Sequence, residues 1–521
     1  MPISKRRKMA SPSEKLAASL AQLESLQGGG RRVFQSRELS RVHRERLVRQ
    51  GFLRHVKKGW LISTGPGTDS GDSTPWYASF WEFCARYCGE RFGDRWHLSP
   101  EQSLLLHAEN TVIPRQVIIC APKGSNNTID LLFGTSLYDL KQARMPAEPD
   151  LTLLAGLRLY TRAAALIKVS EAFFRRWPLE AHVVLAGIRD ASDLLVHLLG
   201  GGHSTVAGRL AGAFRRVGCA QIAEEILRTM KAAGYDVRET NPFLPEQAFG
   251  ILNTREPPIV GRIEAMWGSL RESVIEAFPP APGLPKDNEA YLQFVDAIYE
   301  SDAYHSLSIE GYRVTPELIQ RVQTGNWNPD NDDADRQSRD ALAARGYWET
   351  FQLVKETVAK IVVGENAGTL VRSAHREWYR ALFQPCVRAG VIEPSALAGY
   401  RSDVVFLRGS RHVPPRWEAV RAAMPALFDL LEEEREPSVR AVLGHWLFGY
   451  VHPYPDGNGR MARFVMNAML ASGGYPWTVI RVEDREGYLS ALESANLEMN
   501  IRPFATFLAM CVQLSLEQAG H

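Results

Sequence analysis

The run His452-Pro453-Tyr454-Pro455-Asp456-Gly457-Asn458-Gly459-Arg460-Met461-Ala462-Arg463 gathers a candidate general base, an acidic metal ligand, a glycine-rich turn and two arginines into one short stretch. Glycines at 457 and 459 let the backbone approach a ligand and aim successive N–H groups at it, and such a turn opening a helix suits phosphate. Met461 to Ala471 holds good helix formers without Pro or Gly, so the turn leads into a helix. Arg460 and Arg463 then share one face, spaced to hold neighbouring phosphates, and Asn458 adds a side-chain donor. Asp456 is placed to hold a divalent cation between phosphate oxygens.

This string resembles the signature of the Fic family, HPFx[DE]GNGRxxR, with Tyr454 where the pattern has Phe. The resemblance implies a protein adenylyltransferase, an AMPylase that moves AMP from ATP to a Ser, Thr or Tyr hydroxyl of a target protein and of itself. It makes His452 the catalytic base and Asp456 the Mg²⁺ ligand. Gly457, Asn458, Gly459 and Arg460 become the phosphate cradle, and Arg463 the holder of the γ-phosphate. The chemistry is coherent on its own terms, because nucleotidyl transfer needs mainly positioning, a base, a metal and fixed donors.

Two upstream stretches extend the resemblance. Tyr400 to Pro415 reads as two short strands around a Gly409-Ser410 turn and is similar to the family's flap, a small β-hairpin whose edge pairs with an extended target segment. Ser306-Leu307-Ser308-Ile309-Glu310-Gly311 matches the [ST]xxxE[GN] inhibitory motif, within a helix expected over 301–311. Read locally, Glu310 closes a last helical turn and Gly311 is its left-handed stop. The motif implies that Glu310 pairs bidentately with Arg463 and denies that guanidinium to the γ-phosphate. Downstream, Arg485 and Tyr488 lie in an expected helix, 481–492, where Tyr488 is a candidate for the nucleotide pocket. Removal of AMP, with Glu310 orienting a water, is the alternative within the same fold.

A chain of 521 residues with 45% hydrophobic content has material for three or four domains. Its 61 basic and 59 acidic residues leave a net charge of +2, so no global field draws it to nucleic acid or membrane. No apolar run reaches the roughly 18 residues of a membrane span, and the basic start lacks a secretory h-region, so a cytoplasmic protein is expected. Six scattered cysteines read as reduced and mostly buried, and the Cys84/Cys88 pair has no second ligand pair that would make it a metal site.

The fold class expected is mainly α. A C-terminal all-helical Fic domain, 286–521, carries the inhibitory helix 301–311, the flap 400–415 and the signature loop 452–463. A winged-helix-like domain, 1–65, a mixed α/β to helical scaffold, 76–245, and a linker with a helix, 246–285, precede it. Residues 1–12 read as a basic leader, and Ser36 and Ser40 as helix caps before a hairpin turning at Lys58-Gly59. The stretch Arg31 to Lys58 carries a local charge of +8, which with Arg41, His43 and Arg44 on the second helix makes DNA a candidate partner. Here the order of elements resembles antitoxin-like winged-helix regulators, so a DNA-binding regulator with a nucleotide-sensing Fic domain is the second functional class. The scaffold shows strand-like runs at 117–119, 131–133 and 151–154, then helices at 163–174, 179–199, 204–216 and 220–233. Helical surfaces of the C-terminal domain could form a homodimer.

Overall fold

The computed structural model describes residues 11–66, 71–244, 257–325 and 339–519; residues 1–10 of the expected basic leader and 245–256 of the boundary expected near 245–260 fall outside them. Contacts divide the chain into two units rather than along the four segments that composition suggested. The first comprises 1–107, 112–169 and the short segment 406–413; the second comprises 108–111, 170–405 and 414–521. The expected 76–245 block is thus shared between them at residues 169 and 170.

The first unit begins with α1 (Pro12–Leu26), whose N-terminus is closed by a reciprocal Ser11/Glu14 capping box. Strand β1 (Val33–Gln35) leads through a short 3₁₀ turn that contains Ser36, rather than being capped by it, into α2 (Arg41–Arg49). Ser40 does cap α2, accepting from the His43 N–H, and Gly51 at φ 77° ends that segment. Strands β2 (Leu53–Lys57) and β3 (Trp60–Ser63) complete an antiparallel sheet of order β1-β3-β2. Alternation along β3 explains its two faces: Leu61 joins Leu23, Phe34, Leu47 and Leu53, while Trp60 and Ile62 meet the aromatic side of α3 (Thr74–Phe92).

The basic stretch is largely engaged within the unit. Arg31 pairs with Glu38, Arg37 with Glu90 and Arg41 with Glu45. Arg44 donates to the Ser36 carbonyl, and His43 faces Ser19 of α1 instead of an open groove.

After α3 come β4 (His97–Leu98), α4 (Pro100–His107), β5 (Gln116–Ala121), β6 (Asn127–Asp130) and β7 (Ser136–Lys141), in a sheet of order β4-β5-β7-β6 with β5 and β7 parallel. The strand expected at 131–133 lies earlier, at 127–130. Phe133 at φ 51° and Gly134 at φ 69° make 132–134 a tight turn instead. A hairpin, β8 (Leu151–Leu154) and β9 (Leu157–Tyr160), precedes α5 (Arg162–Lys168).

The flap differs from expectation. Residues 400–415 hold a turn, with the Ser410 N–H donating to the Leu407 carbonyl, but no strand pair. The extended residue His412 instead forms an isolated antiparallel bridge with Val112, and the Ile113 N–H donates to the Arg411 carbonyl at 2.9 Å. The apolar run Val404-Val405-Phe406 forms no strand: Val404 stays exposed, and Phe406 lies under Arg32, 4.7 Å from ring centroid to guanidinium carbon.

The regular elements of the second unit, among the described residues, are helices: α6 (Glu171–Arg176), α7 (Pro178–Ala186), α8 (Ser192–Gly201), α9 (Ser204–Arg216), α10 (Ala220–Ala232) and α11 (Pro258–Ala277). Then follow α12 (Asn288–Ile309), α13 (Pro316–Gln323), α14 (Arg339–Ile361), α15 (Ala367–Arg388) and α16 (Trp417–Glu433). The unit closes with α17 (Pro437–Val451), α18 (Asn458–Ala471), α19 (Arg485–Glu498) and α20 (Arg502–Ala519). The helix expected over 163–174 breaks at Val169 and Ser170, both extended, and that over 179–199 breaks where Asp190 accepts from the Ser192 N–H and starts a new helix. Trp378, Trp446 and Trp477 are fully buried in one continuous core. Arg262 of α11 is buried there too, bonded to Glu180 and Tyr450, each at 3.1 Å. No described helix is long and apolar enough to cross a membrane.

Candidate functional site

Helices α17 and α18 form a hairpin whose connection, 452–457, is the signature loop. Helix α17 stops because Pro453 disfavours αR geometry at the residue before it, and His452 takes the left-handed position, φ 51° and ψ 61°. Its Nδ1 lies 3.3 Å from the Gly449 carbonyl, which only accepts, so Nδ1 carries the proton and Nε2 keeps its lone pair. Burial pushes the His452 pKa down to about 4, against the Gly449 bond, so the ring is neutral at physiological pH. The ring is nevertheless only partly screened from solvent.

Asn458 braces the loop. Its Oδ1 accepts from the Tyr454 N–H at 2.9 Å and its Nδ2 donates to the Tyr454 carbonyl at 2.8 Å, so the donor expected for phosphate is turned into the loop. Tyr454 is fully buried, stacked on Tyr379 with centroids 3.8 Å apart, and its hydroxyl has no partner among the described residues. Gly457 opens α18 at φ 76°, where a Cβ would strike the Phe383 ring at 2.8 Å. Asp456 accepts from the Gly457 N–H at 2.6 Å through Oδ1, its Oδ2 stands 3.8 Å from Arg460 Nη2, and 64% of its side chain is exposed, open to a cation. No three His, Cys, Asp or Glu among the described residues converge as ligands. A divalent ion there would complete its shell from phosphate and water, a manner of binding that suits Mg²⁺.

The two arginines reach toward α12 and the residue beyond its end. Arg460 is buried between the rings of Tyr312 and Phe383, at 5.1 and 5.2 Å, and its Nε has no acceptor among the described residues. Arg463 donates from Nε to Ser306 Oγ at 2.8 Å, and from Nη2 to the Ser306 carbonyl at 3.0 Å and to Glu310 Oε1 at 2.7 Å. The ion pair is therefore single-pronged, with Ser306 taking the donors a bidentate pair would use. Glu310 caps α12 and Gly311 follows at φ 86°. Desolvation pushes the Glu310 carboxyl up, and Arg463 and Arg460 more than offset it, holding it below the usual carboxylate range. The same Oε1 lies 2.2 Å from where a Cβ on Gly459 would stand, over the first turn of α18.

Three further residues stand around the site. Tyr488 is buried in the core, its hydroxyl 2.9 Å from His445 Nε2 and its ring beside Phe504 and Phe507. Arg485 donates through Nε to the Ile309 carbonyl at 2.8 Å, closing the end of α12. Arg401, which no motif singled out, is buried against the His452 backbone.

The Fic/DOC family model matches residues 369–470, a span that includes the flap and the signature but not Ser306–Gly311. The chain is 41% identical over 132 residues to the "Protein adenylyltransferase Fic" of Nematostella vectensis, covering 25% of this chain and 30% of that relative. It is 35% identical over a stretch of the same length to the protein of that name in Drosophila willistoni, covering 25% and 26%. The chain thus spans under a third of the length of these curated relatives. Among solved structures, Fic-1 from C. elegans aligns with TM-score 0.37 and 17% identity over 66% of this chain and 92% of that one. A Fic-domain signaling protein from Bacteroides thetaiotaomicron VPI-5482 aligns with TM-score 0.35 and 22% identity over 50% and 95%. The chain carries a Fic/DOC domain, matched over residues 369–470.

Proposed function

We propose that the protein transfers AMP from ATP to a hydroxyl side chain of a protein, itself included, and that Glu310 holds this activity down. The observation that carries the reading is the seat of the Glu310 carboxylate, 2.7 Å from Arg463 and over the helix turn that opens at Gly457 and Gly459. A helix N-terminus with two buried arginines attracts one anion strongly. A carboxylate already there competes with a phosphate and excludes a second charge.

In the transfer step, the target oxygen forms a bond to the α-phosphorus while the bond from that phosphorus to the bridging oxygen breaks, releasing pyrophosphate. The target's proton passes to His452 Nε2, the free nitrogen of a ring kept neutral by burial. Asp456 would hold Mg²⁺, which neutralises phosphate charge when bound. Arg460, whose Nε lacks an acceptor, and Arg463, once released by Glu310, hold the phosphate chain so that the α-phosphorus faces the base.

The test is incorporation of label from α-labelled ATP, CTP, GTP and UTP into wild type, Glu310→Gly and Glu310→Gly/His452→Ala. Strong labelling from ATP in Glu310→Gly alone is expected. Labelling of wild type equal to Glu310→Gly would remove the inhibitory part, and absence of label throughout would remove transfer itself and turn attention to removal of AMP.

A further inference from the structure

Arg401 is 2% exposed, yet among the described residues no carboxylate forms an ion pair with it. Its charge is met by carbonyls instead. Nε donates to the His452 carbonyl at 2.8 Å, Nη1 to Asp403 at 2.9 Å, and Nη2 to Pro415 and, at 3.3 Å, to Val451. Its own N–H donates to the Pro453 carbonyl at 2.9 Å. Three of these partners are consecutive residues, 451 to 453, around the left-handed turn that presents the ring; the other two lie on the two legs of the flap.

We propose that Arg401 is a positioning residue for the base, a buried guanidinium that ties the flap to the catalytic loop and fixes the backbone of His452. The role rests on the reading of His452 as base. A left-handed non-glycine residue is strained unless its surroundings over-determine it, and the convergent donors of a planar fork supply that constraint. Burial lowers the Arg401 pKa to about 10, with Glu418 opposing, so the group still carries its charge at neutral pH. That charge faces His452 together with the carboxylates of Glu310 and Asp456, and it adds to the effect of burial in keeping the ring unprotonated. The phosphate-holding residues sit on the far side of the loop, at 457–463. Loss of Arg401 therefore disturbs the proton acceptor and the flap more than nucleotide binding.

The experiment uses the full chain carrying Glu310→Gly, with Arg401→Gln and Arg401→Lys added. For Arg401→Gln, kcat is expected to fall about 10- to 100-fold with KM for ATP changed by less than about threefold, as expected when a reacting group is misplaced. A second readout needs no activity: nitrogen NMR of the imidazoles, with His452 assigned by its loss in His452→Ala. The Nδ1-protonated form should give way to a tautomer mixture, and the titration should move upward. Lysine keeps the charge but offers three donors, so Arg401→Lys should leave the titration in place and still lose at least about fivefold in kcat. Wild-type kcat in Arg401→Lys, or an unchanged His452 tautomer and titration in a folded Arg401→Gln, would overturn the proposal. If Glu310→Gly itself transfers no label, the adenylyltransferase reading fails while the NMR readout still decides Arg401.

Discussion

Glu310 Oε1 bonds Arg463 Nη2 at 2.7 Å and occupies the space a side chain on Gly459 would need. One carboxylate oxygen thus fills both the arginine's acceptor position and the mouth of the helix turn. Glu310→Gln keeps the shape and removes the charge. Weakening a charge-assisted bond on a part-exposed group by about 1 kcal/mol gives roughly fivefold more automodification, less than Glu310→Gly gives. Equal activity in Glu310→Gln and wild type, measured with α-labelled ATP, would show that charge is not what excludes the nucleotide.

Gly459→Ala should act with opposite signs in two backgrounds. In wild type the new Cβ displaces Glu310 and raises labelling. In Glu310→Gly it crowds the position expected for phosphate and lowers kcat/KM by about tenfold or more. The same sign in both backgrounds would separate the carboxylate's seat from the phosphate's.

Arg485→Ala removes the donor that closes the Ile309 carbonyl at the end of α12. A net hydrogen bond of about 0.5–1.5 kcal/mol loosens the helix end without removing Glu310, so automodification should rise about two- to tenfold. Faster hydrogen exchange confined to residues 306–311 should accompany it; unchanged exchange there refutes the link.

Tyr454→Phe should stabilise the protein or leave it unchanged. The hydroxyl is buried without a partner among the described residues, and removing such a group relieves about 1 kcal/mol or more. A melting point lower by several degrees would mean that the hydroxyl has a partner after all.

Stability should fall on mild acidification. Burial holds His182 and His375 near pKa 4 and His445 near 3, whereas unfolded histidine titrates near 6.5. All three are neutral in both states above that value, so their contribution is intact there. It is lost as pH drops toward 4, because the unfolded chain takes protons first, at about 1–2 kcal/mol per histidine by pH 5. Asp302 works the other way: burial pushes its carboxyl up to about 6, so it regains stability as pH falls through 6 and offsets roughly one histidine. Urea midpoints at pH 7.5 and 5.0 should differ clearly; equal midpoints would contradict the burial of these rings.

What could be read from the sequence was what local spacing encodes. The turn at Gly457, the helix from Asn458 and the stop at Gly311 each follow from residues a few positions apart. The contact of Glu310 with Arg463 spans 153 residues and was anticipated only through a motif resemblance, which missed that Ser306 would take two of the arginine's donors. The flap was misread because the apolar run Val404-Val405-Phe406 before a Gly409-Ser410 turn looks like one leg of a hairpin, while the extended partner of His412 is Val112, some three hundred residues away. Tyr488 was a pocket candidate only through the family resemblance; its contact with His445, 43 residues away, is one that local spacing does not encode. Arg401 left no signal at all: backbone carbonyls have no letter in the sequence, and a guanidinium bound only to them looks like any surface arginine.

The flap's far end also sets a limit on how this protein can be dissected. A fragment beginning at residue 286 would retain the loop, the arginines and Glu310, yet residues 406–413 would lose Thr74, Val112 and Ile113, with which they bond in the first unit. Such a fragment would test the proposed transfer with residues 406–413 unpaired. A gain of activity on truncation would then measure the cost of that tether, and should not be credited to release of Glu310.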